Sequence, residues 1–306
     1  MLKRLAIAVA GGLAAVALFL PASGASAATT TLKGDWAPFN RCPVENSAML
    51  AADGTSTVAF CLASDSPSGS ITLGNLTVSS GDVNLQAGVL QNTSTGAFTV
   101  VSPTGGALVA APVQVPGGLL GLVCPSRIPV VSAVCAEITN STLNAITAVV
   151  QPAGNPSGFS LAAGLSEGVP IITVPVKIQL QNPLLGPNCY VGSNSNPILL
   201  TPENLTAPTI GGEFFDANGT PDPNGVMQAI ASTGGTEGAG SAAIPGATGC
   251  GLLGALDGAV DLKVGLPSAA GKSSFTLDNA SSYLTGLASP GSNDGQLLAQ
   301  YWNSAR

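Results

Sequence analysis

Histidine is absent from the 306-residue sequence, which excludes several catalytic and metal-binding arrangements. Ser-His-Asp triads and Cys-His pairs need an imidazole as the general base, and most zinc and copper sites include histidine ligands. The chain also lacks a GxSxG nucleophile elbow. A phosphate-loop pattern fails at Gly265 and Gly271, because five residues separate these glycines where the motif has four. We therefore expect no catalytic residue of these kinds and no cofactor.

Charged residues are scarce as well, at 8% of the chain, and sixteen acidic residues outnumber nine basic ones. Nucleic-acid binding needs clustered Lys and Arg to replace counterions, whereas the basic residues here are scattered, so no nucleic-acid partner is expected. Apolar residues reach 45%, which is enough for a folded core. With its many Gly, Ser, Thr, Asn and Pro residues, the composition predicts a β protein whose surface is polar but poorly charged.

The N-terminus has the three parts of a secretory signal. MLKR is basic, residues 5–20 are apolar, and Ala25-Ser26-Ala27 fits the small-x-small rule for cleavage. A retained membrane anchor is the alternative, but sixteen residues are short for a span of about 20. We therefore predict that 1–27 is a signal peptide and that 28–306 is a secreted, extracellular β-rich region with no membrane anchor after cleavage.

An even number of cysteines in an exported chain predicts three disulfides. Six cysteines allow many pairings, and sequence proximity favours Cys42–Cys61, Cys124–Cys135 and Cys189–Cys250. The alternative for Cys189 is a nucleophile, but no histidine is present and the nearest base, Lys177, lies across a predicted strand. We interpret Cys189 as part of a disulfide at a corner between strands 171–181 and 197–201.

Alternation of apolar and polar residues predicts strands throughout the chain. The clearest run is 171–180, whose predicted core-facing residues are Ile172, Val174, Val176, Ile178 and Leu180. Pro175 cannot donate to a ladder, which predicts an edge strand or a bulge. Shorter runs predict strands at 56–62, 69–78 (with a bulge or bend at Gly74-Asn75), 82–90, 96–101, 144–150, 196–201 and 274–278. The predicted fold class is all-β, mainly an antiparallel β-sandwich or sandwiches, with a few short helices.

Helix signals are sparse. Residues 292–306 predict a helix with Ser292 or Asn293 as its N-cap. The residues that would share one face of it are Leu297, Leu298, Tyr301 and Trp302. One or two helical turns are expected at 225–231 and 252–260, and a long flexible loop at 232–249. Residues 151–158 are either a boundary between two sub-domains or a hairpin connection.

Two acidic patterns are candidate sites. Asp216, Asn218, Thr220 and Asp222 lie at alternate positions, as in the first half of a calcium loop, and Asp216, Asn218 and Asp222 are the candidate ligands. The pattern then fails at its sixth and twelfth positions, so an Asx-rich turn is the alternative, and any calcium site should be weak. For glycoside hydrolysis, the candidate carboxylate pairs are Asp257 with Asp261 and Glu213 with Asp216.

Four segments carry a resemblance to a family of secreted proteins of high-GC Gram-positive bacteria: RCPV at 41–44, VPGGLLGLVCPS at 115–126, NPLLGPNCYVGSNSNPILL at 182–200 and VGLPSAAG at 264–271. The resemblance implies export and a β-rich fold. It carries no catalytic residues.

The function expected from these patterns is a non-enzymatic role in binding or structure at the cell envelope. The partner would be a cell-wall glycan or an envelope protein, recognised through the Ser-, Thr- and Asn-rich surface. The alternatives are a carboxylate-dependent glycoside hydrolase and a self-associating coat or matrix component.

Overall fold

A computed structural model describes residues 31–118, 144–239 and 243–306. The predicted signal peptide and two of the six cysteines, Cys124 and Cys135, lie outside these ranges.

The described residues form sixteen strands. In chain order they are β1 (Thr57–Ser66), β2 (Ser68–Leu73), β3 (Leu76–Ser80), β4 (Val83–Asn92), β5 (Phe98–Val101), β6 (Leu108–Ala110), β7 (Val113–Gln114), β8 (Thr147–Pro152), β9 (Val174–Gln181), β10 (Tyr190–Val191), β11 (Ile198–Leu200), β12 (Glu203–Asn204), β13 (Thr209–Phe215), β14 (Met227–Ala239), β15 (Ala247–Thr248) and β16 (Ser274–Leu287). The α-helices are α1 (Ser47–Leu50), α2 (Leu161–Gly164), α3 (Asp257–Val264) and α4 (Asp294–Ser304), and two 3-10 helices are η1 (Gly34–Phe39) and η2 (Leu252–Gly254).

The strands form two antiparallel sheets, which confirms the predicted all-β class. The large sheet has the order β12-β14-β16-β1-β4-β5, with β13 beside β14, β2 beside β16, β3 beside β2, and β6 beside β4. The small sheet has the order β15-β10-β9-β8-β7, with β11 also beside β9. No helix in the described part of the chain is long and apolar enough to cross a membrane.

Two hydrophobic cores flank the large sheet. The first lies between the two sheets and includes Leu62, Leu284 and the inward face of β9. The second lies on the opposite face of the large sheet, where η1 and α4 contribute Trp36, Phe39 and Trp302. Because both faces are covered, the central strands of the large sheet bury residues in both directions.

The segment that leads into and forms β9 buries the face that the alternation predicts: Ile172, just before the strand, and Val174, Val176, Ile178 and Leu180 within it are all buried. The edge or bulge expected from Pro175 is wrong, because β9 has β8 on one side and β10 and β11 on the other, in continuous register. The β8 ladder ends at the pair Pro152↔Val176. Beyond it, the Pro175 carbonyl accepts a hydrogen bond from the Ala153 amide at 3.0 Å. The amide that proline lacks therefore falls past the last β8 pair.

Residues 69–78 form a hairpin rather than one strand with a bulge or bend. Strands β2 and β3 pair with Leu73 opposite Leu76, and Gly74 takes a left-handed φ of 55° in the turn. A two-residue turn of this kind favours glycine and asparagine.

Two predictions for neighbouring segments are wrong in the described residues: the helical turns at 225–231 and the flexible loop at 232–249. Residues up to Ala239 belong to β14, which pairs with β13 on one side and β16 on the other, and β15 follows at 247–248. The segment is rich in Gly, Ala, Ser and Thr and shows no alternation. Its two neighbours supply the hydrogen bonds, so tertiary pairing overrides the local signal.

The C-terminal helix and the turns at 252–260 appear as α4, η2 and α3. Leu298 and Trp302 are buried, and Leu297 and Tyr301 are partly buried against the second core. Asn293 precedes α4 but makes no side-chain cap. Residues 151–158 leave β8 and lead toward α2, and the proposed sub-domain boundary there stays a prediction.

Two disulfides join the pairs that sequence proximity favours. Cys42 is bonded to Cys61 of β1, and Cys189, beside β10, is bonded to Cys250. The thiol of Cys189 is therefore not free to act as a nucleophile.

Candidate functional site, an apolar cavity between the sheets

A cavity of about 150 Å³ lies between the two sheets. The small sheet contributes apolar side chains from β8, β9 and β11, among them Val150, Val176 and Ile198. Apolar side chains of the large sheet, such as Leu62 and Leu284, close the opposite side. The first hydrophobic core is thus incompletely filled where the sheets face each other.

Most polar groups of the cavity come from β1, β14 and β16 of the large sheet, with Thr72 of β2 and Ser273 beside them. They include Ser64, Ser66, Ser232, Glu237 and Ser282. Among the described lining residues, Glu237 is the single carboxyl and neither Lys nor Arg occurs. The cavity is therefore apolar on its small-sheet side and polar on part of its large-sheet side.

Glu237, Ser282 and Ser64 form a chain of hydrogen bonds. The Ser282 Oγ lies 3.1 Å from the Glu237 Oε1 and 2.9 Å from the Ser64 Oγ. A hydroxyl carries one proton. Ser282 therefore donates to one of these neighbours and accepts from the other, and the direction of the chain depends on the protonation state of Glu237.

A β-bulge turns the Glu237 side chain into the cavity. The pairing of β14 with β16 shifts by one residue at Gly234, which has a left-handed φ of 74°. Before the bulge the even-numbered residues Ile230 and Ser232 line the cavity; after it the odd-numbered residues Glu237 and Ala239 do. Successive side chains of a strand point to opposite faces, and one extra residue exchanges those faces.

A second bulge in β16 compensates for the first. Asn279, with a left-handed φ of 52°, is the extra residue on this strand. The cavity-lining residues change from Ser282 and Leu284 to Phe275 and Leu277 across it. Pairing then resumes in the original register, so both strands keep lining the same cavity.

Burial raises the pKa of Glu237 above its ordinary value, and the hydrogen bond from Ser282 opposes this rise. The side chain is 6% exposed. Desolvation disfavours the ionised form of a carboxyl, and no cationic side chain of the described lining offsets it. The site is therefore biased toward a neutral carboxylic acid.

The end of α2 and the residue after it contribute to the cavity lining. Gly164 and Leu165 line it, and Leu165 is 39% exposed. The buried Asn204 of β12 fixes this segment, since its side-chain amide donates to the carbonyls of Gly164 at 3.1 Å and Ser166 at 2.8 Å. The loop at this end is held to the large sheet by hydrogen bonds.

The calcium candidates lie in the connection from β13 to β14, outside the cavity lining. The Asp216 carboxylate accepts the amides of Asn218 and Thr220, both at 2.8 Å, and these bonds hold its pKa below its ordinary value. Asp222 accepts the amide of Asn224 at 2.9 Å. These are Asx-turn contacts. The assignment of calcium to Asp216, Asn218 and Asp222 stays a prediction.

The carboxylates considered for hydrolysis also lie outside the described cavity lining. Asp257 accepts the Cys250 amide and Asp261 accepts the Ala247 amide, each at 2.7 Å. They fix α3 to the second disulfide and to β15. Glu213 is exposed on β13.

Glu237 was not among the candidates from sequence. Its sequence signal is weak: a single acid within a stretch of small residues, shortly after the glycine pair 234–235. That glycine pair was the available hint of a bulge.

Neither family models, nor curated proteins, nor solved structures give a match to this chain.

Proposed function

We propose that this chain is an exported binding protein that takes a small apolar ligand into the cavity between its two sheets. The observation that carries the proposal is the combination of an apolar cavity of about 150 Å³ with one buried carboxyl and its serine neighbours. Binding sites for small molecules are typically apolar, with a few converging polar groups. The sequence patterns favour the polar outer surface as the binding region, whereas the cavity lies between the sheets.

The cavity volume limits the size of the ligand. A cavity of about 150 Å³ is large enough for a molecule such as benzene. Drug-sized ligands occupy pockets of roughly 300–1,000 Å³. The ligand is therefore a small molecule, or it inserts only the apolar end of a larger one.

Binding is better supported than hydrolysis at this cavity. A glycoside hydrolase of the usual kind uses two carboxyl groups. The described lining contains one, Glu237, whose pKa burial raises above its ordinary value. A role at the cell envelope and a glycan or protein partner at the outer surface remain proposals beside this one, as does self-association.

Export is part of the proposal, supported by the N-terminal pattern and by two disulfides in the described chain. The mature protein should begin at Ala28. N-terminal sequencing of protein from culture medium checks this, and an intact chain retained in the membrane would contradict it.

Toluene titration of the purified protein, followed by calorimetry, tests the proposed function. We expect saturable binding to the wild type. Ser232→Leu fills the cavity from the large sheet and should weaken binding by about tenfold or more. Ala231→Leu is the matched control, because residue 231 points to the opposite face of β14 and does not line the cavity. Absence of binding to the folded wild type, or equal affinities in both variants, would contradict the proposal.

A further inference from the structure

We infer that the ligand is a neutral molecule with an apolar body and one hydroxyl group, bound with the hydroxyl at Glu237 and Ser282. This inference rests on the proposed function and specifies its ligand class. It follows from where the polar groups of the cavity lie and from which polar groups the cavity lacks.

The two sides of the cavity prescribe the orientation of the ligand. Side chains from the small sheet, including Val174, Val176 and Ile178, offer no hydrogen bonds. The hydrogen-bonding groups at Glu237 and Ser282 lie on the large sheet, with 3.1 Å between the carboxyl Oε1 and the hydroxyl Oγ. An apolar body therefore packs against the small sheet, and the polar atom of the ligand faces the large sheet.

A hydroxyl matches the hydrogen-bonding capacity of this site. A neutral carboxylic acid both donates and accepts, and so does each serine hydroxyl. The chain from Ser64 through Ser282 to Glu237 can extend by one more group of the same kind. A ligand hydroxyl can donate to the carboxyl oxygen or accept from a carboxyl proton, so it adds hydrogen bonds without adding charge.

Charged ligands fit the same site poorly. An anionic ligand would find neither Lys nor Arg among the described lining residues. It would also lie against a carboxyl. A cationic ligand would pair with an ionised Glu237, which is 6% exposed, so that two charges would lie in a largely apolar cavity. The desolvation cost of such a pair often exceeds the attraction between its members. A neutral hydroxyl avoids both costs.

Four ligands of similar size separate these possibilities: toluene, benzyl alcohol, benzylamine and benzoate. We expect calorimetry at pH 7 to give about tenfold tighter binding of benzyl alcohol than of toluene, because a site with buried polar groups rejects an analogue that leaves them unpaired. The affinities of benzylamine and of benzoate should each be lower than that of benzyl alcohol by about tenfold or more. Binding of toluene tests the proposed function. The ratio of the affinity for benzyl alcohol to the affinity for toluene tests this inference.

Two substitutions at Glu237 and one at Ser282 test the residues. Glu237→Gln keeps a neutral donor and acceptor and should retain the preference for the alcohol, whereas Glu237→Leu should abolish it while toluene still binds. If Glu237→Leu does not fold, Ser282→Ala provides the same test. It should lower the ratio of the affinities for benzyl alcohol and toluene by about threefold or more.

Equal affinities for toluene and benzyl alcohol in the wild type would overturn the inference and leave the proposed function intact. Tightest binding of benzylamine, lost in Glu237→Gln, would overturn it in favour of a cationic ligand. A folded protein that binds none of the four would contradict the proposed function itself.

Discussion

Ser282 and Glu237 are 45 residues apart in sequence, yet the serine Oγ lies 3.1 Å from the carboxyl Oε1 inside the cavity. In the register of the two strands Ser282 is opposite Ser232, whereas Glu237 is opposite Leu277. The bulges at Gly234 and Asn279 bring the two side chains together on one face. The candidate site thus depends on a local irregularity in the longest strand pair of the large sheet.

The bulge at Gly234 predicts a specific cost for adding a side chain there. No atom lies within 4 Å of a Cβ placed on Gly234, so the expected loss comes from its φ of 74° alone. Gly234→Ala should lower the free energy of unfolding by about 1–2 kcal/mol. Gly211→Ala, on β13, is the control, because its Cβ also meets no atom within 4 Å and its φ is not left-handed. Chemical denaturation compares the two; equal effects would contradict a left-handed bulge residue.

The buried and the outer face of β9 should respond differently when an aspartate is introduced: the loss of stability should be large on the buried face and small on the outer one. Val176 is 1% exposed in the core between the sheets, so Val176→Asp should cost several kcal/mol, on the order of 3 or more. Lys177 points the other way, with its Nζ 4.9 Å from the centre of the Tyr190 ring. Lys177→Asp loses that contact and should cost about 1 kcal/mol or less. Urea denaturation measures both, and similar losses would mean that the faces of β9 are assigned incorrectly.

The alternation in β9 makes its buried face predictable from sequence, because its four buried residues recur at every second position. The same rule failed for β14. That strand contains few large apolar residues, and its two bulge-separated halves point opposite sets of residues inward. A period of two cannot be read across an inserted residue. The β16 partners of β14 are 36 to 60 residues away, from Ala239↔Phe275 to Met227↔Leu287, and such pairings are not visible in local sequence.

The candidate site was missed for the same physical reason. The sequence patterns favour Asp216 and Asp222 as calcium candidates, and Asp257 with Asp261 as a carboxylate pair for hydrolysis. In the structure these carboxylates accept backbone amides in turns and at α3. Glu237 has no acidic neighbour in sequence, so it belongs to no pattern that predicts a site. Its importance comes from burial, which only the packing of the two sheets creates.

A buried acid at the start of α4 predicts how stability depends on pH. Asp294 is fully buried, its Oδ2 accepts the Ala59 amide at 2.7 Å, and its Oδ1 has no hydrogen-bond partner in the structure. Desolvation raises its pKa from 3.8 to about 6, with a smaller contribution from Asp53. The folded state therefore binds more protons than the unfolded state between these pH values. Stability should fall as the pH rises from about 4 to about 6 and level off above that.

Asp294→Asn tests this dependence, because the amide oxygen can still accept from Ala59 but cannot ionise. The difference in unfolding free energy between variant and wild type should change by about 1–3 kcal/mol between pH 4 and pH 7, in favour of the variant at pH 7. Thermal or urea denaturation across this range measures it. A difference that does not vary with pH would show that Asp294 keeps an ordinary pKa.

The two described disulfides should differ in how much they stabilise the fold. Cys189–Cys250 spans 61 residues and Cys42–Cys61 spans 19. In the chain-entropy model the longer loop contributes about 4 kcal/mol and the shorter about 3 kcal/mol. Paired Cys→Ser substitutions, compared by denaturant unfolding, measure the two losses. A larger loss from the shorter loop would mean that native contacts, rather than loop length, decide the effect.

The location of bound toluene tests the central claim most directly. Nuclear Overhauser effects between toluene and assigned methyl groups of the protein would identify the contacts in solution. The cavity predicts contacts to methyls of both sheets, Val176 and Ile178 on one side and Leu284 on the other. The contradicting result is contact only with the exposed leucines Leu252, Leu253 and Leu262, or with no methyl group at all.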